Sequence, residues 1–363
     1  LMTSAGQWFR ELALPLWIEA GWDRQSRSFV EGLDFAGRPL LDMPRRTMVQ
    51  ARQIWVMCVA ARNGWHASAG SIADEALASL LSESDGTGYP FSKDRSGRVI
   101  DDRRDLYSHA FVLLALAEAY KLTGNRACLA AADQTLAFLD GAMATPETGG
   151  YKESLPLCDA PRRQNPHMHL FEALLALHEA AGGNGYLERA EKLHGLLSQH
   201  FLCGPQPVLA ELFDDVWQPL TAADVIFEPG HHFEWVWLLD RFAQLSGQPD
   251  SAHPGRGLWD TAIANGVGEA LWIYERVTAS GTVVDASSRL WTYAEAAKAA
   301  NSPLIGNPAD NRARDFLHAL NARFVIDGTG LWADRRNPDG SSPSSFVPAS
   351  SLYHICGAVC AVE

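Results

Sequence analysis

His169 stands three residues before Glu172, and His231 stands three residues before Glu234. On a helix, side chains three apart meet. A carboxylate beside an imidazole fixes the ring's tautomer and raises its basicity. A single pair of this kind is ordinary, but two pairs at corresponding places in the chain suggest work: proton transfer at neutral pH, for which a neutral imidazole is suited. Asn165 precedes His169 by four residues and shares its helix face. Arg52 sits inside the apolar run Val49–Ala61, where solvation does not account for it. Tyr107, Trp291 and the dipeptide Tyr353-His354 complete the set of polar or aromatic residues in unusual settings.

The other histidines read as structural or surface residues. His167 and His232 lie next to the pairs but point to other faces, and His109 reads equally as a core hydrogen-bonding residue. Zinc is the competing use for His167-x-His169 and His231-His232. Residues two apart on a helix diverge by about 200°, so the first pair is poorly placed to chelate, and the i,i+4 helical zinc motif is absent. No metal is expected on these grounds, and no nucleotide or other cofactor is expected, since the chain lacks both a GxxxxGK loop and a strand–GxGxxG–helix unit. Glycoside hydrolysis would need two flanking carboxylates, for which Asp101, Asp102, Glu153, Glu172 and Glu234 are candidates. A sugar- or protein-binding module without turnover is the third class considered.

These residues cluster at helix starts. Apolar residues recur at three- and four-residue spacing over 8–20, 49–61, 72–81, 111–119, 127–139, 170–181, 186–201, 233–243, 262–274, 290–300, 313–324 and 352–362, twelve helices in all. Alternating strand patterns are short, with Ser28–Phe35, Thr282–Val284 and Phe324–Ile326 as the best candidates. Prolines favoured at a first helical position occur in Met43-Pro44, Asn165-Pro166, Glu228-Pro229, Asn307-Pro308 and Val347-Pro348, and Asn165 and Asn307 suit the N-cap. Every second helix starts near 44, 107, 166, 229, 288 and 348, a period of about 60 residues that six units fill almost completely. The expected fold is therefore all-α, a single domain over 1–363 in which six helical hairpins close into an (α/α)6 barrel with minor β-hairpins in its loops. All the even helices of such a ring run the same way. If they form its inner layer, their polar first turns line one mouth, the default form of a ligand site.

The composition agrees. Of 363 residues, 47% are hydrophobic, 20% are charged and 12 are Trp, which excludes a disordered chain. A net charge of −13 without a basic stripe makes nucleic acid an unsuitable partner. The longest strongly apolar run, Ala110–Ala117, is far short of the about 20 residues that cross a membrane. Residues 1–20 lack a basic end followed by an apolar stretch, and the six cysteines are scattered without a CxxC pair. A cytoplasmic location is expected, and a homodimer is the assembly left open.

The stretches YSHAF (107–111), RRQNPHMHLFEA (162–173), EPGHHFEW (228–235), RLWTYAEA (289–296) and LYH (352–354) resemble the N-acylglucosamine 2-epimerase family, which includes cellobiose 2-epimerases and mannose isomerases. The resemblance implies an (α/α)6 barrel, a sugar substrate and histidine acid–base chemistry without metal. It implies His169, His231 and His354 as the catalytic histidines, and Arg52, Asn165 and Trp291 as substrate contacts. On this reading His354 takes the C2 proton, His231 is its acid/base partner and His169 assists ring opening. Glu172 and Glu234 orient imidazoles, and Tyr107 and Trp291 shape the wall. Isomerisation of a free, mannose-type aldose is favoured over 2-epimerisation of N-acylglucosamine or a related sugar.

Overall fold

In this chain a helix is repeatedly launched from a two-residue strand. The extended pairs Arg45–Arg46, Arg104–Asp105, Arg162–Arg163, Ile226–Phe227, Ser288–Arg289 and Val347–Pro348 each lie just ahead of a helix. The residue entering the helix keeps β backbone angles, as an N-cap does. The computed structural model describes residues 4–183, 185–306 and 311–363. The Asn307-Pro308 start lies outside the described residues.

The chain opens with α1 (Ala5–Trp8), a wide turn over Phe9–Ala13, and α2 (Leu14–Glu19). It groups into two compact units. The amino-terminal unit comprises residues 14–196 and 348–353, and the carboxy-terminal unit comprises residues up to 13, 197–347 and 354–363.

The amino-terminal unit contains α3 (Thr47–Arg62), α4 (Ala69–Leu81), α5 (Leu106–Thr123), α6 (Arg126–Phe138), α7 (Gln164–Ala181) and α8 (Tyr186–Leu196). Helix α5 packs on both α3 and α7, while α4, α6 and α8 each cover one of these three. The sequence explains the arrangement. The run from Ala110 to Ala117 is apolar on every side and buried throughout, as a helix enclosed by others must be. Helix α5 ends at Gly124, whose φ of 66° is the left-handed cap that glycine adopts without penalty.

The carboxy-terminal unit contains α9 (Pro229–Ser246), α10 (His253–Gly266), α11 (Leu290–Ala300), α12 (Arg312–Phe324) and α13 (Leu352–Val362), the last entering it at His354. Helix α9 packs on α10 and α11, α11 on α12, and α1 on α12. A three-stranded sheet of 226–227, 276–278 and 283–285 closes one loop region.

Several boundaries differ from the sequence reading. Pro229 does open its helix, whereas Pro44 precedes a strand, and α7 begins at Gln164 so that Asn165 lies inside its first turn. The helix expected over 262–274 ends at Gly266, where a Cβ would meet Pro229 at 2.4 Å. Val267 then turns extended and bridges Ile273. Of the expected strands, 28–29, 32–33 and 283–285 form, while the third reduces to a bridge between Val325 and Trp332.

One device repeats. The fourth residue of five helices accepts the backbone N–H of a residue in a preceding loop: Gln50 from Phe29 at 2.7 Å, His109 from Tyr89, His167 from Tyr151 and His232 from Leu209 at 3.0 Å each, and Tyr293 from Ile273 at 3.1 Å. These five residues tie loops to helices at the period seen in the sequence. Each satisfies a donor whose loss would cost about 1–3 kcal/mol.

Candidate active site

The histidines divide into two classes by what holds Nδ1. In His109, His167 and His232 it donates to a backbone carbonyl, of Asp105, Arg163 and Leu258 respectively, while Nε2 accepts the loop N–H. Both ring nitrogens are committed, the rings are neutral, and burial pushes their pKa values down to about 4, 3 and 4. These are structural residues. In His169, His231 and His354, by contrast, Nδ1 faces a carboxylate, so proton exchange with a substrate is left to Nε2.

In the carboxy-terminal unit, the Trp291 ring centroid lies 5.2 Å from that of His231 and 5.4 Å from that of His354. This packing requires Gly230, where a Cβ would sit 2.5 Å from the Trp291 ring. His354 Nδ1 is 2.7 Å from Glu295 Oε1. Glu295 is fully buried, accepts Trp237 Nε1 at 2.8 Å and pairs with Lys298 at 3.1 Å. Burial alone would raise its pKa, but Lys298 and His354 hold the carboxyl below its ordinary range. His354 thus has a partner whose ionised form is favoured.

His231 departs from the spacing argument. Its Nδ1 is bound by Glu211, at 2.9 and 3.1 Å to the two oxygens, with Glu228 at 3.5 Å, and not by Glu234. Glu234 instead groups with Glu295 and His354, their ligating atoms all within 4.8 Å of one another. Burial would lower the His231 pKa, yet the charges of Glu211 and Glu228 outweigh it and push it up to about 10. Glu228 itself is pushed up by burial against the counteracting His231. These charges favour the protonated, imidazolium form of His231. Glu211 escapes sequence reasoning because it reaches His231 from a loop 20 residues away, at no helical spacing. Trp235, next to Glu234 in sequence, is fully buried core.

In the amino-terminal unit, His169 Nδ1 is 2.9 Å from Glu172 Oε2, as their spacing requires, and Tyr353 donates to the other oxygen, Oε1. The His169 ring packs against Phe111 at 4.5 Å and Tyr107 at 5.2 Å. Arg52 is buried, donates to Tyr107 Oη at 2.6 Å and to the Ser350 carbonyl at 2.9 Å, and stacks 4.2 Å from the Phe111 centroid. Its Nε and the Asn165 Oδ1 are buried without partners among the described residues. Each such group costs free energy until something bonds it, as sugar hydroxyls would.

The arginine pairs at the helix starts are occupied internally. Arg45 binds Asp23 and Ser28, and Arg46 binds Glu31. Arg162 binds Thr145 and Thr148, and Arg163 binds Glu153. Arg104 pairs with Asp102, and Arg103 lies over Phe91. Glu153 is thereby removed from the hydrolase candidates. Within the carboxy-terminal unit, two groups among the described residues have the ligand spacing of a cation site, Glu211–Glu228–His231 and Glu234–Glu295–His354. Among the described residues no helix is long and apolar enough to cross a membrane.

Comparison with known proteins gives a consistent picture. The profile described as N-acylglucosamine 2-epimerase (GlcNAc 2-epimerase) matches residues 28–358. The chain is 32% identical to a mannose-6-phosphate isomerase of Rhizobium meliloti, over 98% of this chain and 95% of that protein. It is 30% identical to a D-mannose isomerase of Thermobifida fusca, over 89% and 85%. Among solved structures, the cellobiose 2-epimerase of Bacillus thermoamylovorans B4167 superposes with a TM-score of 0.86 at 18% identity, covering 98% of this chain and 97% of its own. The fold is that of these proteins, the (α/α)6 barrel expected from the 60-residue period.

Proposed function

Because the chain belongs to the N-acylglucosamine 2-epimerase family, and is on that ground a sugar isomerase or epimerase, we propose that its reaction is the aldose–ketose isomerisation of a free, mannose-type sugar. The observation that carries the reading is the pair of carboxylate-backed histidines flanking Trp291, one of them held as an imidazolium. The names of the two mannose-acting relatives support the choice of sugar.

An α-hydroxy aldehyde becomes a ketose when a proton leaves C2 and returns at C1. In this proposal His354 Nε2 takes the C2 proton, with Glu295 stabilising the imidazolium that forms. His231 donates from Nε2 to O1, which gives the enediol and prevents full charge from building on oxygen. His231 then recovers a proton from O2 while His354 returns its own to C1. Both residues end as they began, and no atom or electron is left over. His169, backed by Glu172, is assigned to ring opening. Arg52 and Asn165 are assigned to sugar oxygens, and Tyr107 and Trp291 to the walls.

The reaction as written needs no metal, although the two carboxylate–histidine groups have cation spacing. The internal pairing of the helix-start arginines favours an unphosphorylated substrate. Proton NMR of mannose with the protein in D2O tests the reading: conversion to fructose, whether C1 carries the transferred protium or solvent deuterium, supports isomerisation, and deuterium confined to C2 of glucose makes the protein an epimerase.

A further inference from the structure

Four helix starts in this chain share a local design in which a glutamate in the preceding loop faces the residue that caps the helix. At α3, Glu31 accepts the Arg46 backbone N–H at 2.7 Å and its Nε at 3.0 Å. At α7, Glu153 accepts the Arg163 backbone N–H at 2.8 Å and its Nε at 2.9 Å. At α11, Glu275 lies 3.6 Å from Arg289. At α3 and α7 the glutamate is occupied by the capping arginine, and at α11 Glu275 accepts from Arg335 at 3.2 Å with the capping Arg289 as a more distant ion pair. At α9 the glutamate is Glu211, but the capping residue is Glu228. Glu211 still accepts the backbone N–H, at 3.3 Å, but the capping side chain is a carboxylate, and both Glu211 oxygens face His231 Nδ1.

We propose that Glu211 is a positioning residue for His231, and that it is released for that role because glutamate, not arginine, caps α9. The inference rests on the reading of His231 as the proton donor in the reaction.

The chemistry follows from the exchange. An arginine at position 228 would compete for Glu211 with two charge-assisted hydrogen bonds in fixed geometry, stronger than a single bond to imidazole. A glutamate there withdraws the competitor and adds a second negative charge beside the ring. His231 then faces Glu211, Glu228 and, more weakly, Glu234, with the neutral His232 beside it in sequence. Glu275 also acts on it directly through its charge, and both Glu275 and Arg289 act on Glu228. A proton on His231 is stabilised by both near carboxylates, and the bond at Nδ1 directs exchange to Nε2.

The test uses three variants, Glu211→Gln, Glu228→Gln and Glu228→Arg, each checked for a wild-type helical spectrum. His231 is titrated by NMR of ring-labelled histidine, assigned by its loss in His231→Ala, and kcat and KM for mannose are followed against pH. In the wild type, His231 stays protonated past pH 9. Glu211→Gln brings its titration towards neutral pH, lowers kcat at pH 8 by about 100-fold and leaves KM within about threefold. Glu228→Arg does the same by drawing Glu211 away, and combining the two changes adds little further loss. Glu228→Gln, which introduces no competitor, costs less than Glu228→Arg. An unmoved His231 titration in Glu211→Gln or in Glu228→Arg overturns the proposal. A shifted titration with turnover untouched upholds the positioning and instead removes His231 from the reaction.

Discussion

Gly230 and Trp291 are in direct contact: a Cβ on the glycine would lie 2.5 Å from the indole ring, and Thr292 Cγ2 would be 2.8 Å away. The indole is the wall between His231 and His354, so a methyl group at position 230 displaces the group that spaces them. Gly230→Ala is expected to lower kcat/KM for mannose by about 10- to 100-fold, in keeping with the sensitivity of reactions to small misplacements. A thermal melt changed by only a few degrees separates this from unfolding. Wild-type kinetics in this variant would mean that the position of Trp291 does not matter.

The Glu295 carboxylate is the ionised partner of His354, and Lys298 and Trp237 hold its other contacts. Glu295→Gln keeps the shape and removes the charge. In the proposed mechanism kcat falls about 100- to 1,000-fold while mannose binding, measured by calorimetry, stays within about threefold. Equal losses of affinity and rate would assign Glu295 to substrate binding instead.

Acid sensitivity follows from the three carbonyl-backed histidines. Their folded pKa values of about 4, 3 and 4 lie below the ordinary value of 6.5. Between those values and 6.5 the unfolded chain binds protons that the folded chain does not, so stability is complete above about pH 6.5 and falls as the pH drops. His231 acts oppositely: raised to about 10, it stabilises the fold at low pH and loses that contribution as the pH rises through 10. Urea unfolding at pH 5 and pH 7 should show the lower midpoint at pH 5. His232→Ala should flatten part of the difference and destabilise the protein at pH 7 by about 2–4 kcal/mol, because Leu209 loses its acceptor and a cavity opens.

Mannose and mannose 6-phosphate discriminate between the two relatives' names. With the helix-start arginines paired internally, mannose is the expected substrate, with kcat/KM at least tenfold above that of the phosphate ester in the same coupled assay. A preference for the ester would show that one of those ion pairs opens to receive it. Dialysis against EDTA, with metal content followed by mass spectrometry, tests the metal-free chemistry: full activity in metal-free protein is expected. Activity lost on dialysis and restored by a divalent cation would point to one of the carboxylate–histidine groups.

What the sequence revealed depended on range. Glu172 was found beside His169 because both lie on one helix at fixed spacing, and the repeat was found because helices packed on the same neighbours need the same apolar pattern. Glu211 was missed because the loops between helices vary in length and no periodicity links Glu211 to His231. Glu234 was expected on His231 for the opposite reason: the i,i+3 rule was satisfied, but a stronger carboxylate arrived from elsewhere. The overrun of the helix at 262–274 came from apolar spacing that continues past Gly266, where contact with Pro229 ends the helix.

The central claim is that His354 moves a proton from C2 to C1 of a mannose-type sugar while His231 gives a proton to O1 and recovers one from O2. Its most direct measurement is proton NMR of mannose with the wild type and with His354→Ala in D2O. The account predicts fructose from the wild type, its C1 carrying transferred protium or, to the extent that the proton on His354 exchanges first, solvent deuterium, and neither fructose nor exchange at C2 from a correctly folded His354→Ala. Exchange at C2 that persists in His354→Ala, or a wild type that yields only C2-labelled glucose, would contradict it.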